Sequence, residues 1–242
     1  MKLERLLAKY QLMGRTRARE CILAGRVKIA DHSTTAFDHE VDHFTRVTLD
    51  NQIVQPAARR LRIMLHKPIG VISATKDKKH RTVIDLIDDP DKGSLHLVGR
   101  LDINTSGLVL LTNDGRWSKA LMHPDHKVPK VYHVTTAEPI PSDAPAQFNA
   151  GFFLKTEEIT TLPAALEILT TTTARVTLHE GRYRQVRRMF HRVGCKVIAL
   201  HRESIGEYKL QGNLKVGEWC QFKPETALHK RLPRKAKWVE NS

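Results

Sequence analysis

The chain has 242 residues, with 40 Lys or Arg against 26 Asp or Glu and a formal net charge of +14. At 40% hydrophobic and 27% charged residues it can build a sizeable core, which excludes a disordered chain, and no apolar run approaches the ~20 residues needed to span a bilayer. The basic balance points to a polyanionic partner, with nucleic acid ahead of a membrane surface. Cys21, Cys195 and Cys220 are far apart and odd in number. That argues against a disulfide framework or a Cys-based zinc site, and with an N-terminus lacking the apolar core of a signal peptide it fits a reduced, cytoplasmic setting.

Leu3, Leu6, Leu7 and Tyr10 fall at helical spacing and predict a first helix with an apolar stripe. Gly14 breaks the pattern. Thr16 is the candidate N-cap of a second helix that turns Ala18, Cys21 and Ile22 inward and ends at Gly25. Val27 and Ile29 then alternate as a strand would, and residues 46–49 close a small sheet. Eight of the first 30 residues are Lys or Arg, opposed only by Glu4 and Glu20. A charge run is more often just a solvated face. Here Arg15, Arg17 and Arg19 crowd the first turn of the second helix, where the dipole disfavours cations, and a bound phosphate would relieve that conflict. Residues 50–60 are polar, contain Pro56 and show no period, as an interdomain linker would.

From Leu61 the pattern changes to short strands. Residues 62–67 and 71–75 flank Pro68-Ile69-Gly70, a hairpin-like signal. Residues 108–112 have the length and composition of a strand buried on both faces, and stop at the turn Asn113-Asp114-Gly115. Gly107 just before them permits a positive φ or a close approach by another group. Asp102 therefore sits on a short loop held by a rigid strand, a placement common for chemistry, although a lone Asp there more often only ties a turn. Residues 116–122 predict a helix with Trp117, Ala120 and Leu121 inward. His123 and His126 have the residue type of a metal pair, but Pro124 interrupts any helix that would mount them, which leaves a structural loop. Residues 130–134 alternate as a half-buried strand through Tyr132, and 163–169 and 175–178 are further strands. Val186, Met189, Phe190 and Val193 lie at i, i+3, i+4 and i+7, an amphipathic helix stopped by Gly194. Arg184, Arg188 and Arg192 repeat every four residues on another face, while Arg187 stands beside the apolar stripe and can point into a cleft. The basic, weakly patterned end, 226–242, reads as a tail touching RNA nonspecifically.

The stretch from Gly99-Arg100-Leu101-Asp102 to Leu111-Thr112-Asn113-Asp114-Gly115 resembles the catalytic motif of the pseudouridine synthases, in the RsuA-type family of ribosomal small-subunit RNA enzymes. Lys67-Pro68-Ile69-Gly70 resembles the first motif of that family, Lys130-Val131-Tyr132 its Lys-x-Tyr element, and residues 180–194 its third motif. Residues 16–29 resemble the alpha-L RNA-binding module. That module usually turns at Asn-Gly; Ala30-Asp31 in this chain implies a wider turn. The family often has Asn where this chain has His66, so His66 is assigned no role.

The resemblance implies an α+β catalytic domain over residues 61–225 with a mixed, mainly antiparallel sheet, preceded by a small RNA-binding domain over residues 1–55. It implies isomerisation of a uridine to pseudouridine in small-subunit ribosomal RNA: the bond from ribose to the base nitrogen breaks, the uracil turns, and a carbon–carbon bond forms. Neither a cofactor nor a metal is required. Asp102 becomes the catalytic carboxylate, as nucleophile toward the ribose or as base for a ribose proton; Tyr132 packs against the target base, which must be flipped out of any helix; and Arg187 is the basic residue of the site. Burial penalises a carboxylate's charge, and a nearby guanidinium opposes that penalty. Contacts to RNA fall to Arg15, Arg17, Arg19, Arg26, Lys67, Arg100, Lys130, Arg184 and Arg188. The partner is ribosomal RNA within a small-subunit assembly intermediate, met by a monomer. Two alternatives stand beside this reading. One keeps the chemistry and moves it to large-subunit RNA, against which residues 182–185 and 200–206 look closer to the small-subunit enzymes. The other is a non-catalytic RNA-binding assembly factor, which would have no need of Asp102, Tyr132 and Arg187 together.

Overall fold

The computed structural model describes residues 1–10 and 13–223, in two compact units, Met1–Arg60 and a second that begins at Leu61. In the first unit, α1 (Leu3–Tyr10) buries Leu3, Leu6 and Leu7, but Tyr10 at its last turn is half exposed and does not extend the stripe. Helix α2 (Arg15–Leu23) starts from the extended backbone of Gly14, so Thr16 lies inside the helix instead of capping it. Ala18, Cys21 and Ile22 face inward as expected. Strands β1 (Val27–Ile29), β2 (His32–Ser33), β3 (Val47–Leu49) and β4 (Gln52–Gln55) form an antiparallel sheet in the order β2-β1-β3-β4.

Two further expectations for this unit fail. Ile29 pairs with His32, so the turn is the tight two-residue kind, with Ala30 and Asp31 both left-handed at φ +46° and +71°. Such turns match the strand twist and favour Asn-Gly; Asp tolerates this region, and Ala is held there by the sheet on either side. Residues 50–60 are also not all linker, because β4 forms the edge of the sheet. Val54 is the strand's one buried residue, which leaves no alternation to read.

The second unit contains β5 (Arg62–Lys67), β6 (His96–Val98), β7 (Ser106–Thr112), α3 (Gly115–Met122), β8 (Lys130–Thr136), α4 (Ala144–Ala150), β9 (Phe153–Leu154), β10 (Ile159–Thr160), β11 (Ala165–Thr170), β12 (Thr173–Leu178), α5 (Gln185–Arg192), β13 (Val197–Ile205), β14 (Tyr208–Lys209) and β15 (Trp219–Gln221). The main sheet runs β11-β12-β8-β13-β7-β5-β15, with β14 beside β13 and β6 beside β7. Among the described strand pairs of this sheet only β7 and β13 are parallel, so the mixed, mainly antiparallel α+β fold is as expected. Strand β7 is buried on both faces. Val109 and Leu111 join the larger core with Phe148 of α4 and Met189 and Phe190 of α5, while Leu108 and Leu110 pack on the other side with Trp117 and Leu121 of α3. Asp114 caps α3, its side chain accepting from the amides of Arg116 and Trp117.

Residues 71–75 do not form the second arm of a hairpin. Ile72 makes a single bridge to Thr82, and the partners of β5 are β7 and β15. The turn at Pro68-Ile69-Gly70 instead brings the Gly70 amide onto the Ile103 carbonyl, 2.9 Å away. Arg184, at φ +48°, lies before the first residue of α5, so it does not share a helical face with Arg188 and Arg192. The tail over residues 226–242 lies outside the described residues. Among those described, no helix is long and apolar enough to cross a membrane.

Candidate active site

At the level where Arg202 of β13 stands opposite Tyr132 of β8 and Gly107 of β7, the sheet opens into a cleft of about 810 Å³. The register explains the gap. A Cβ on Gly107 would lie 2.3 Å from the Arg202 carbonyl oxygen, and the residue sits at φ +109°. Glycine there lets β7 and β13 close as a parallel pair. The chain just before it, residues 100–105, is thereby held at the mouth of the cleft with Asp102, half-buried, in its wall.

Every carbonyl of that loop is held from outside it. Arg202 donates to Arg100, at 3.2 Å, and the Ser73 hydroxyl to Leu101, at 2.8 Å. The Lys67 ammonium donates to Asp102 and Thr105, at 3.2 and 2.8 Å. Gly70 donates to Ile103, at 2.9 Å, and Arg187 to Asn104, at 2.8 Å. Among the described residues no donor holds the Asp102 carboxylate itself. The backbone is clamped and the side chain is left to act, the preorganisation that nucleophilic or proton-transfer chemistry needs.

Asp102 and Tyr132 line this cleft together, with Tyr132 buried at its floor. Arg100, Lys130 and Arg184 line it too. Arg187 stands behind it: its two terminal nitrogens hold the Asn104 and Val197 carbonyls, tying the Asp102 loop to the start of β13. Burial pulls the Arg187 pKa down, the Arg184 charge adds to that, and Asp102 opposes both. Lys67 is not available to RNA. It is fully buried, with its ammonium directed to three carbonyls, those of Pro68, Asp102 and Thr105. Lys130 is also largely buried and donates to the Val128 carbonyl; desolvation first and Arg202 second lower its pKa. Arg188 forks onto Glu157, while in the first unit Arg19 pairs with Glu4 and Arg26 with Asp50; Arg15 and Arg17 are exposed, as are Lys2, Arg5 and Lys9.

Sequence reasoning passed over Arg202, whose buried guanidinium lines the cleft and donates from Nε to Leu108 and from a terminal nitrogen to Arg100. The readable signal was an arginine two residues after Leu200, in step with an inward apolar position of the strand. Gln185 was passed over as well; it is buried and braces the loop before α5 by donating to Glu180 and accepting from the Arg182 amide. His123 and His126 are linked to local structure, His126 donating to the Ala120 carbonyl, and among the described residues no group of three His, Cys, Asp or Glu is placed to hold a metal ion.

Desolvation, only partly offset by Asp102, brings the Lys67 pKa from 10.5 to about 8. Between those values the unfolded chain holds a proton that the folded one has released, so stability rises with pH there. The stability of the protein relative to its Lys67→Met variant is therefore expected to grow from pH 7.5 to pH 10, measured by urea unfolding of both. A shrinking difference would mean that the three carbonyls hold the charged form better than water does.

Residues 62–192 match the family described as RNA pseudouridylate synthase. A protein of Pseudomonas aeruginosa named ribosomal small subunit pseudouridine synthase A is 43% identical over 225 residues, covering 93% of this chain and 98% of its own. Its namesake in Pasteurella multocida is 35% identical over 93% of this chain and 97% of its own. A crystal structure described as that of pseudouridylate synthase shares 33% identity and superimposes with a TM-score of 0.68, covering 95% of this chain and 99% of that one. Because the family match takes in β5, the Asp102 loop, Tyr132 and all of α5, and the fold is shared across both units, the chain belongs to the RNA pseudouridylate synthase family.

Proposed function

We propose that this protein converts a uridine of small-subunit ribosomal RNA to pseudouridine, with Asp102 as the catalytic carboxylate. The observation that carries the substrate is the 43% identity, across 93% of the chain, to a protein named for the small ribosomal subunit. The geometry supports the chemistry. A flipped uridine entering the cleft meets Asp102 in the wall and the Tyr132 ring at the floor, a surface that replaces the stacking the base has lost. Asp102 then attacks the ribose or takes a proton from it, the bond from ribose to the base nitrogen breaks, and the uracil turns and is rejoined through carbon five, which gives up its proton while the freed nitrogen gains one. Arg187, acting through the Asn104 carbonyl, is a positioning residue for that carboxylate. Arg100, Lys130, Arg184 and Arg202 give the cleft a positive field that draws in phosphates. The first unit is the RNA-binding domain. The substrate is RNA within a small-subunit assembly intermediate, and the enzyme works as a cytoplasmic monomer.

Chemical mapping of pseudouridines in ribosomal RNA from cells with and without the gene tests this. One small-subunit site is expected to disappear; loss of a large-subunit site instead would overturn the substrate. The first unit has its own test. If Arg15 and Arg17 meet phosphates, the double Ala variant binds substrate RNA more weakly, and its log–log salt slope falls by about 1.8, the change expected when two phosphates are no longer neutralised. Single-turnover chemistry on bound RNA stays near normal. An unchanged affinity and slope would place the RNA-binding groups elsewhere in the unit.

A further inference from the structure

Beside the cleft, a second groove of about 680 Å³ runs between α5 and the β9–β10 hairpin. Tyr183 and Arg184 line both spaces and so form the rim between them. The groove's lining holds five Lys or Arg and one carboxylate, Glu157. It also presents two exposed aromatic rings, Tyr183 at 73% and Phe153 at 51% exposure. The walls are built rather than loose: Arg188 forks onto both Glu157 oxygens at 2.6 and 2.7 Å, and Arg192 donates to the Phe153 carbonyl at 2.9 Å, so α5 fixes the position of the segment that carries Phe153.

Cations that follow a backbone, interleaved with open aromatic faces, are what a single strand of nucleic acid requires, because each base offers a π-face and each phosphate a charge. A duplex would hide its bases from both rings. We propose that this groove binds the single-stranded RNA next to the target uridine, with Phe153 and Tyr183 stacking on its bases and Lys155 and Arg184 meeting its phosphates. The inference rests on the reading of the cleft as the uridine site, and gives the enzyme a requirement for unpaired nucleotides beside the one it modifies. The left-handed backbone of Arg184, unusual for a side chain of that size, sets this residue at the junction where the strand would pass from groove to cleft.

The test uses the full-length protein and fluorescein-labelled hexauridylate, with a short RNA duplex as competitor. The single strand is expected to bind in preference to the duplex. Phe153→Ala and Tyr183→Ala should each weaken hexauridylate binding about tenfold, within the range for loss of one stacked base, and Phe153→Trp should restore it. Lys155→Glu should weaken binding and flatten its salt dependence. Because the probe can also enter the cleft, a hexauridylate carrying 4-thiouridine is photo-crosslinked and the labelled peptides mapped; label on the peptide containing Phe153 is expected. Wild-type affinity in both Phe153→Ala and Lys155→Glu, or label confined to peptides of the cleft, overturns the proposal. Phe153 and Lys155 are solvent-exposed, so these variants are expected to fold. Loss of the reading on which the inference rests shows separately, as wild-type protein that releases no tritium from uracil carbon five of ribosomal RNA.

Discussion

Asp102→Asn is expected to fold, to bind substrate RNA with near wild-type affinity, and to lose turnover by more than about 10³-fold, the scale of a catalytic carboxylate's contribution. The clamps on the loop are what make the prediction sharp. Lys67, Gly70, Ser73, Arg187 and Arg202 all hold backbone carbonyls, so exchanging the carboxylate for an amide removes none of them. Stability should stay within about 0.5 kcal/mol of wild type. The assay is single-turnover tritium release from uracil carbon five, with binding and urea unfolding measured in parallel. Near-normal release by this variant would sink the mechanism. Loss of release together with loss of folding would contradict the separation of backbone and side chain described for the loop.

A second large effect is expected at Gly107. Gly107→Ala places a methyl group 2.3, 2.5 and 2.9 Å from the carbonyl oxygen, nitrogen and carbonyl carbon of Arg202, in a backbone conformation at φ +109° that L side chains rarely adopt. The obstructing atoms are backbone on an interior strand and cannot rotate aside, so overpacking and backbone strain add to a loss of about 3–5 kcal/mol. Gly115→Ala is the control, since a Cβ there meets nothing within 4 Å and lies in the first turn of α3. It should leave stability unchanged or slightly raised. Comparing urea midpoints of the two variants checks this; equal, small shifts would mean that β7 and β13 can separate without loss.

Much of the site could be read from residue order, because its parts carry strong local signals. The run 108–112 was apolar without alternation, and it proved to be a strand with cores on both sides. Gly107 was placed by the abrupt change from polar loop to apolar strand, and the spacing of Val186, Met189, Phe190 and Val193 fixed the face of α5 that is buried. What could not be read depends on partners distant in sequence. Nothing near Lys67 says that its charge ends among carbonyls of residues 68, 102 and 105. Nothing near Arg202 says that the strand carrying it runs parallel to β7. The two-residue turn at Ala30-Asp31 was missed because the paired strands, and not the turn residues, impose the left-handed backbone. Strand β4 was missed because an edge strand with one inward side chain has no period.

The order in which the clamps are synthesised has a consequence of its own. Lys67, Gly70 and Ser73 leave the ribosome before the Asp102 loop, but Arg187 follows the Asn104 carbonyl it holds by 83 residues, and Arg202 follows that of Arg100 by 102. At roughly 5–20 residues per second, the second pair of clamps arrives on the order of 5–20 s after the loop has emerged. Throughout that interval β7 has β5 on one side and β6 along Leu110–Thr112 on the other, while its first residues, Ser106 and Gly107, still lack β13, which will later add beside them as a parallel strand. Such non-local pairings form slowly, and backbone groups left without a partner at the end of a strand are open to wrong ones. For this protein the last clamps on the Asp102 loop and the pairing of the first residues of β7 are therefore a single late folding event.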